Sequence, residues 1–68
     1  MGQSSKIGKN LKKAREDKEL TQEELAEKAG LSANYYAKIE RGEINTTIDT
    51  LRKIAKALGV KSSDLLPF

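Results

Sequence analysis

The stretch Gln22-Glu23-Glu24-Leu25-Ala26-Glu27-Lys28-Ala29-Gly30-Leu31-Ser32-Ala33-Asn34-Tyr35-Tyr36-Ala37-Lys38-Ile39-Glu40-Arg41-Gly42 decides the fold. Thr21 precedes it and forms a capping box with Glu24: the hydroxyl accepts from the Glu24 amide, and the carboxylate reaches back. Leu25, Ala26 and Ala29 then recur at helical spacing, and Gly30 stands where a left-handed residue ends a helix. Ser32 starts a second helix almost at once, with Tyr36 and Ile39 inward and Gly42 at its end. Two helices joined only by Gly30-Leu31-Ser32 cannot lie antiparallel, so they meet at a steep angle. Ala26 lies at the crossing, where a small side chain permits close approach. Leu31 and Ile39 anchor the second helix to the core.

The angled pair is a helix-turn-helix arrangement, and its second helix has one face free to enter a groove about as wide as an α-helix. Outward from it, the same punctuation repeats. Ile7, Leu11 and Ala14 form an apolar stripe in a first helix that Ser4 or Ser5 can cap. Downstream, Thr47 or Thr46 caps a fourth helix with Ile48, Leu51, Ile54, Ala55 and Leu58 buried and Gly59 at its end. Ser62 opens a last short turn with Leu65 and Leu66, counted as the fifth helix. The expected fold is all-α, a compact five-helix bundle. Residues 1–5 are expected to be a flexible arm and residues 6–68 the domain.

Composition narrows the function. A chain of 68 residues is one domain near the lower limit for unaided folding, so self-association is a natural supplement. Cysteine and histidine are both absent, which removes disulfides, thiolate chemistry and the commonest zinc ligand and proton-transfer group. No Gly-rich phosphate loop or inward carboxylate pair replaces them. Hence no enzyme activity, metal, cofactor or small-molecule ligand is expected. No apolar run approaches the roughly 20 residues that span a bilayer, and the first residues lack a signal-peptide core. No membrane association is expected, and a cytoplasmic location fits the cysteine-free composition.

The net charge of +3 comes from 13 basic and 10 acidic residues, and it is unevenly spread. Lys6, Lys9, Lys12, Lys13, Arg15 and Lys18 make the first eighteen positions basic. Glu19, Glu23, Glu24 and Glu27 make the next stretch acidic. A basic footprint suits nucleic acid, although helix-1 lysines are more often a solvated face than a contact surface.

Several blocks together carry a resemblance. They are Leu20-Thr21-Gln22-Glu23-Glu24-Leu25-Ala26, Gly30-Leu31-Ser32, Ile39-Glu40-Arg41-Gly42 and Thr50-Leu51-Arg52-Lys53-Ile54-Ala55-Lys56-Ala57-Leu58-Gly59-Val60. In this order and spacing the chain resembles the phage-repressor/Cro-type helix-turn-helix family, also called the xenobiotic-response-element family. The resemblance runs from Ile7 to Leu66. It implies a lambda-repressor-like fold of five helices, with helix 3 reading the major groove of double-stranded DNA. By position it implies base contacts from Ala33, Asn34 and Lys38. It implies backbone contacts from Gln22, Ser32, Tyr35, Arg41, Asn45, Thr46 and Thr47, and a structural ion pair between Arg15 and Glu40.

The chemistry suits these assignments. A helix N-terminus presents free amides to a phosphate, and Gln22 adds a side-chain donor there. Asn34 is of the type that pairs bidentately with adenine, and Lys38 can reach guanine or a phosphate. Two departures from the family stand out. Tyr36 occupies a place usually held by isoleucine or valine, so either its ring packs inward with the hydroxyl at the surface or helix 3 shifts. Glu19 stands where glycine is common, and a positive φ there costs about 1 kcal/mol.

The function implied is a transcriptional regulator, a bacterial or phage-encoded repressor bound as a homodimer to a two-fold operator on cellular DNA. Leu65, Leu66 and Phe68 are most simply a lid on the core, and they are also the candidate dimer patch. The competing function is a protein-interaction module of the toxin-binding or adaptor kind, in which that apolar patch outweighs helix 3.

Overall fold

A computed structural model describes residues 3–66. They form four α-helices and one 3₁₀ turn: α1 (Gln3–Asp17), α2 (Gln22–Ala29), α3 (Ala33–Glu40), α4 (Ile48–Leu58) and the turn Ser62–Asp64. The all-helical architecture stands, but the count of five helices does not. The last expected helix is a single 3₁₀ turn, begun by the Lys61 amide donating to Asp64 Oδ2 at 3.2 Å and closed by the Leu65 amide on Ser62 O. Ser62 to Leu66 is too short a run to supply the propagating bonds an α-helix needs after its nucleus.

The start of α1 also differs. The helix takes in residues 3–5, so neither Ser4 nor Ser5 is its cap. Tertiary contact explains the extension. The Ser4 hydroxyl donates to Asn45 Oδ1, and the Ser5 backbone lies against Gly42 so closely that a Cβ there would be 2.9 Å from Ser5 Cα.

All four α-helices end the same way. In each, one amide reaches back five residues and the preceding amide three: Leu20 to Arg15 and Glu19 to Glu16, Leu31 to Ala26 and Gly30 to Glu27, Glu43 to Lys38 and Gly42 to Ile39, Val60 to Ala55 and Gly59 to Lys56. This paired bonding satisfies carbonyls at the helix end, and it requires a left-handed residue at the turn. Glycine fills that place three times, and Glu19, with φ of 56°, fills it once. The expected positive φ at Glu19 is therefore present.

The starts are capped as their residues dictate. Thr21 Oγ1 accepts from the Glu24 amide at 3.0 Å while the Thr21 amide donates to Glu24 Oε1 at 2.9 Å. Ser32 Oγ accepts from the Tyr35 amide at 3.0 Å and Thr47 Oγ1 from the Thr50 amide at 3.1 Å.

α2 packs on both α3 and α4, while α1 covers α3. Leu11, Leu25, Ala26, Ala29, Tyr36, Ile39, Leu51, Ile54, Ala55, Leu58 and Leu65 are buried together, with Ile7, Ala14, Leu20 and Leu31 packed at the edge. Ile48, expected in the core, is 56% exposed. It is the first residue of α4, and the stripe that turns inward begins a turn later with Leu51.

Candidate nucleic-acid interface

Thr21 and Ser32 fix where α2 and α3 begin, and the Gly30 bend fixes how they join. The first turn of α3 is consequently open: Ser32, Ala33 and Asn34 are exposed, whereas Tyr36 and Ile39 on the opposite face are buried. Neither the Asn34 side-chain amide nor the Lys38 ammonium makes a hydrogen bond with another described residue. Lys38 is half-buried and lies one turn further along α3. Tyr35 is half-buried, its ring against the edge of the core. The Ser32 hydroxyl caps its own helix and has limited capacity left for a ligand.

The family-implied ion pair is present and belongs to a larger network. Arg15 donates from Nε to Glu40 Oε2 and from Nη2 to Glu40 Oε1, both at 2.9 Å, a bidentate fork. Its Nη1 donates to Leu20 O at 2.8 Å, tying the left-handed turn at Glu19 to the same guanidinium. Gln22 joins by donating from Nε2 to Glu40 Oε1 at 3.1 Å. The side chains of Arg15 and Glu40 are only 13% and 3% exposed. Burial pushes the Glu40 carboxyl pKa upward, but Arg15, the Tyr36 hydroxyl nearby and Gln22 outweigh it and hold it below the usual carboxylate range. The Glu40 hydrogen bond raises the Arg15 pKa further, against the opposing effect of burial.

The inward ring of the first alternative for Tyr36 is present, but its surface hydroxyl is not. The ring is wholly buried, and its hydroxyl does not reach the surface: it lies beneath the ion pair, where it is buried without a hydrogen-bond partner. Burial, and then Glu40, push its pKa far above the ordinary tyrosine range. A buried hydroxyl lacking a partner is destabilising. Because the same hydroxyl also stabilises the Glu40 carboxylate, the two effects of Tyr36→Phe oppose each other, and stability read from the urea midpoint is expected to change by less than about 1 kcal/mol. A larger loss would mean that the hydroxyl donates to Glu40.

Arg41 follows α3, exposed, and pairs with Glu43, whose Oε2 accepts from Arg41 Nε. Arg41, a phosphate contact by family position, is thus engaged by a carboxylate only two positions away. Asn45 and Thr47 are exposed and Thr46 half-buried in the segment before α4. The Asn45 carbonyl oxygen is taken by Ser4, and the Thr47 hydroxyl by the cap. What Thr46 and Thr47 still present is backbone at a helix start.

The proposed dimer patch is reduced. Leu65 is 1% exposed, a core residue held by Asn10 Nδ2 donating to its carbonyl at 3.0 Å. It closes the bundle beneath α4 and has no surface to give a partner. Leu66 is half-buried beside Lys6, Lys9 and Asn10. Phe68 lies outside the described residues. Asn10 and Gly8 were both missed by the sequence reading, although a polar residue and a glycine inside an apolar helical stripe are each a sign of a specific packing need.

A capped helix, a glycine bend and a second helix with a buried face and an open first turn define a helix-turn-helix protein. The chain belongs to the helix-turn-helix family, whose model matches residues 11–65. It is 43% identical over 60 residues to an immunity repressor protein of Bacillus phage phi105, covering 88% of this chain and 42% of that protein. It is 42% identical over 60 residues to an uncharacterised HTH-type transcriptional regulator of Sinorhizobium fredii, covering 88% of this chain and 78% of the other. Among solved structures, the restriction-modification controller protein C.AhdI of Aeromonas hydrophila superposes with a TM-score of 0.90 at 35% identity, over 93% of this chain and 96% of that one. The chain thus spans less than half of the phage repressor. No helix among the described residues is long and apolar enough to cross a membrane.

Proposed function

We propose that the chain regulates transcription by sequence-specific binding to double-stranded DNA, with α3 in the major groove. The observation that carries this is the open first turn of α3, which offers Ala33 and the unengaged Asn34 amide on a helix whose other face is locked in the core. Asn34 pairs with adenine N6 and N7, Ala33 touches a thymine methyl, and Lys38 reaches a guanine or a phosphate. Gln22, Ser32, Tyr35, Arg41, Asn45, Thr46 and Thr47 flank this turn in sequence on both sides and serve the phosphates, largely through backbone amides at the starts of α2 and α4. Arg41 must leave Glu43 to do so.

The operator is two-fold and the protein a homodimer. Each chain carries one α3, and its longest dimension is 27 Å, short of the roughly 34 Å between successive major grooves on one side of DNA. Two copies are needed to read both half-sites. The phi105 and S. fredii relatives are named for repression and transcriptional regulation, and this chain acts in the same way, on the DNA of a bacterial cell.

Selection from random duplexes followed by footprinting tests this reading. A two-fold site is expected, bound by two chains. Asn34→Ala should weaken binding to it by about 1–3 kcal/mol per half-site and relax one base position in each. Equal affinity of the wild type for selected and scrambled duplexes would refute sequence-specific recognition.

A further inference from the structure

Outside the α2–α3 unit, the feature with most unused chemistry is the groove between α1 and the ends of α2 and α3. Ser5, Lys9, Lys12 and Arg15 line one wall, spaced as neighbours on one helix face; Gln22, Glu40 and Arg41 line the other. Its one buried carboxylate, Glu40, is already neutralised by Arg15. Lys9 and Lys12 are exposed, and neither makes an ion pair among the described residues. The groove is therefore net cationic, in contrast to the adjoining acidic surface of Glu23, Glu24 and Glu27.

We propose that Lys9 and Lys12 bind phosphates of the operator backbone, so that the DNA footprint continues from Gln22 and Arg41 onto α1. Continuity decides the occupant. The lysines share one groove with two residues assigned above to phosphates, so a duplex on the α3 face brings its backbone past them. A second cationic groove, lined by Lys28, Lys53 and Lys56, shares no residue with this surface. It provides a control of equal charge. The proposal rests on the DNA-binding reading above.

The test is a salt titration of affinity on the selected operator and on a scrambled duplex. The variants are Lys9→Ala/Lys12→Ala, the control Lys53→Ala/Lys56→Ala, the charge-conserving Lys9→Arg/Lys12→Arg, and Asn34→Ala. Each phosphate contact contributes about 0.9 to the slope of log affinity against log salt on B-form DNA. With two chains on the operator, the Lys9/Lys12 alanine variant removes four such contacts and is expected to lose about 3.6 from that slope. Its affinity should fall by the same factor on both duplexes, leaving sequence preference intact. The arginine pair should keep the wild-type slope, and Asn34→Ala should lose preference with little change of slope.

A Lys9/Lys12 alanine slope equal to wild type overturns the proposal, and so does an equal loss in the control, which would signify only a general field. If the wild type shows no preference for the operator, sequence-specific recognition fails separately. Because all four lysines are exposed, each variant is expected to retain its helical circular dichroism. Should the Lys9/Lys12 alanine variant not do so, the slopes of the single variants, expected to drop by about 1.8 each for the two chains, decide the matter.

Discussion

Glu40→Ala is expected to destabilise the domain by about 3–5 kcal/mol, the cost of breaking a buried ion pair from one side. Removing the carboxylate takes away both acceptors of the Arg15 fork and the acceptor of Gln22, leaving the guanidinium with Leu20 O alone. A domain of this size has little stability to spare, so a large unfolded fraction is expected at neutral pH in the urea transition. Arg15→Met/Glu40→Leu should recover much of the loss, because a well-packed apolar pair strands no charge. A loss under about 1 kcal/mol in Glu40→Ala would mean the network contributes little.

The pH dependence of the wild type provides a second reading. The Glu40 pKa is lower in the folded chain than its ordinary value of 4.5. The folded state thus binds the proton less readily than the unfolded state. The stabilising contribution is complete above 4.5 and is lost as pH falls through the lowered folded value. Glu40→Gln is expected to be less stable than wild type at neutral pH and to lack this part of the acid-induced loss.

The consequence reaches DNA, because Glu40 is the last residue of α3. The network ties that end to α1 through Arg15 and to the first residue of α2 through Gln22. The orientation of α3 is thereby coupled to a side chain at the start of α2. Gln22 was legible as a helix start but not as a member of this network, since Gln22 and Glu40 are eighteen positions apart and nothing local links them.

That division holds across the molecule. Features set within four or five residues could be read directly: the Thr21–Glu24 box, the cap at Ser32, the glycine ends and the left-handed Glu19. Features set by what lies across the core could not. Periodicity placed Ile48 inside, but the phase of α4 against α2 is fixed by Leu51, Ile54 and Leu58, and this turns Ile48 outward. Leu65 reads most simply as a lid, and its burial bears this out, which removes it from the surface patch. For Tyr36 the ring packs inward as one alternative had it, but its hydroxyl does not reach the surface: Glu40 of the same helix and Arg15 of α1 lie against it.

Gly8→Ala is the case in which local and tertiary reasoning predict opposite signs. Within a helix, alanine is favoured over glycine by roughly 0.5–1 kcal/mol, so propensity alone makes the replacement stabilising. Gly8, however, is where α1 crosses the end of α3. A Cβ there would lie 2.9 Å from the carbonyl oxygen of Ile39 and the carbonyl carbon of Glu40, and closer still to the Glu40 carbonyl oxygen. These are backbone atoms of a helix and cannot rotate aside, so α1 must lift away from α3. Overpacking of this kind costs about 1–3 kcal/mol and occasionally more. Here the upper end is expected, because the displacement also strains the Arg15 fork on Glu40. For a domain of 60–100 residues each kcal/mol moves the melting temperature by roughly 4–8 °C, so a fall of at least about 12 °C is expected. Gly30→Ala supplies the comparison: nothing lies within 4 Å of its added Cβ, and only its φ of 73° opposes the change, a cost of about 1–2 kcal/mol. Should Gly8→Ala melt at or above the wild-type temperature, the close crossing of α1 and α3 is not what holds the reading helix, and propensity has prevailed. If it melts lower and the deficit shrinks in the Arg15→Met/Glu40→Leu background, crossing and ion pair act as one clamp.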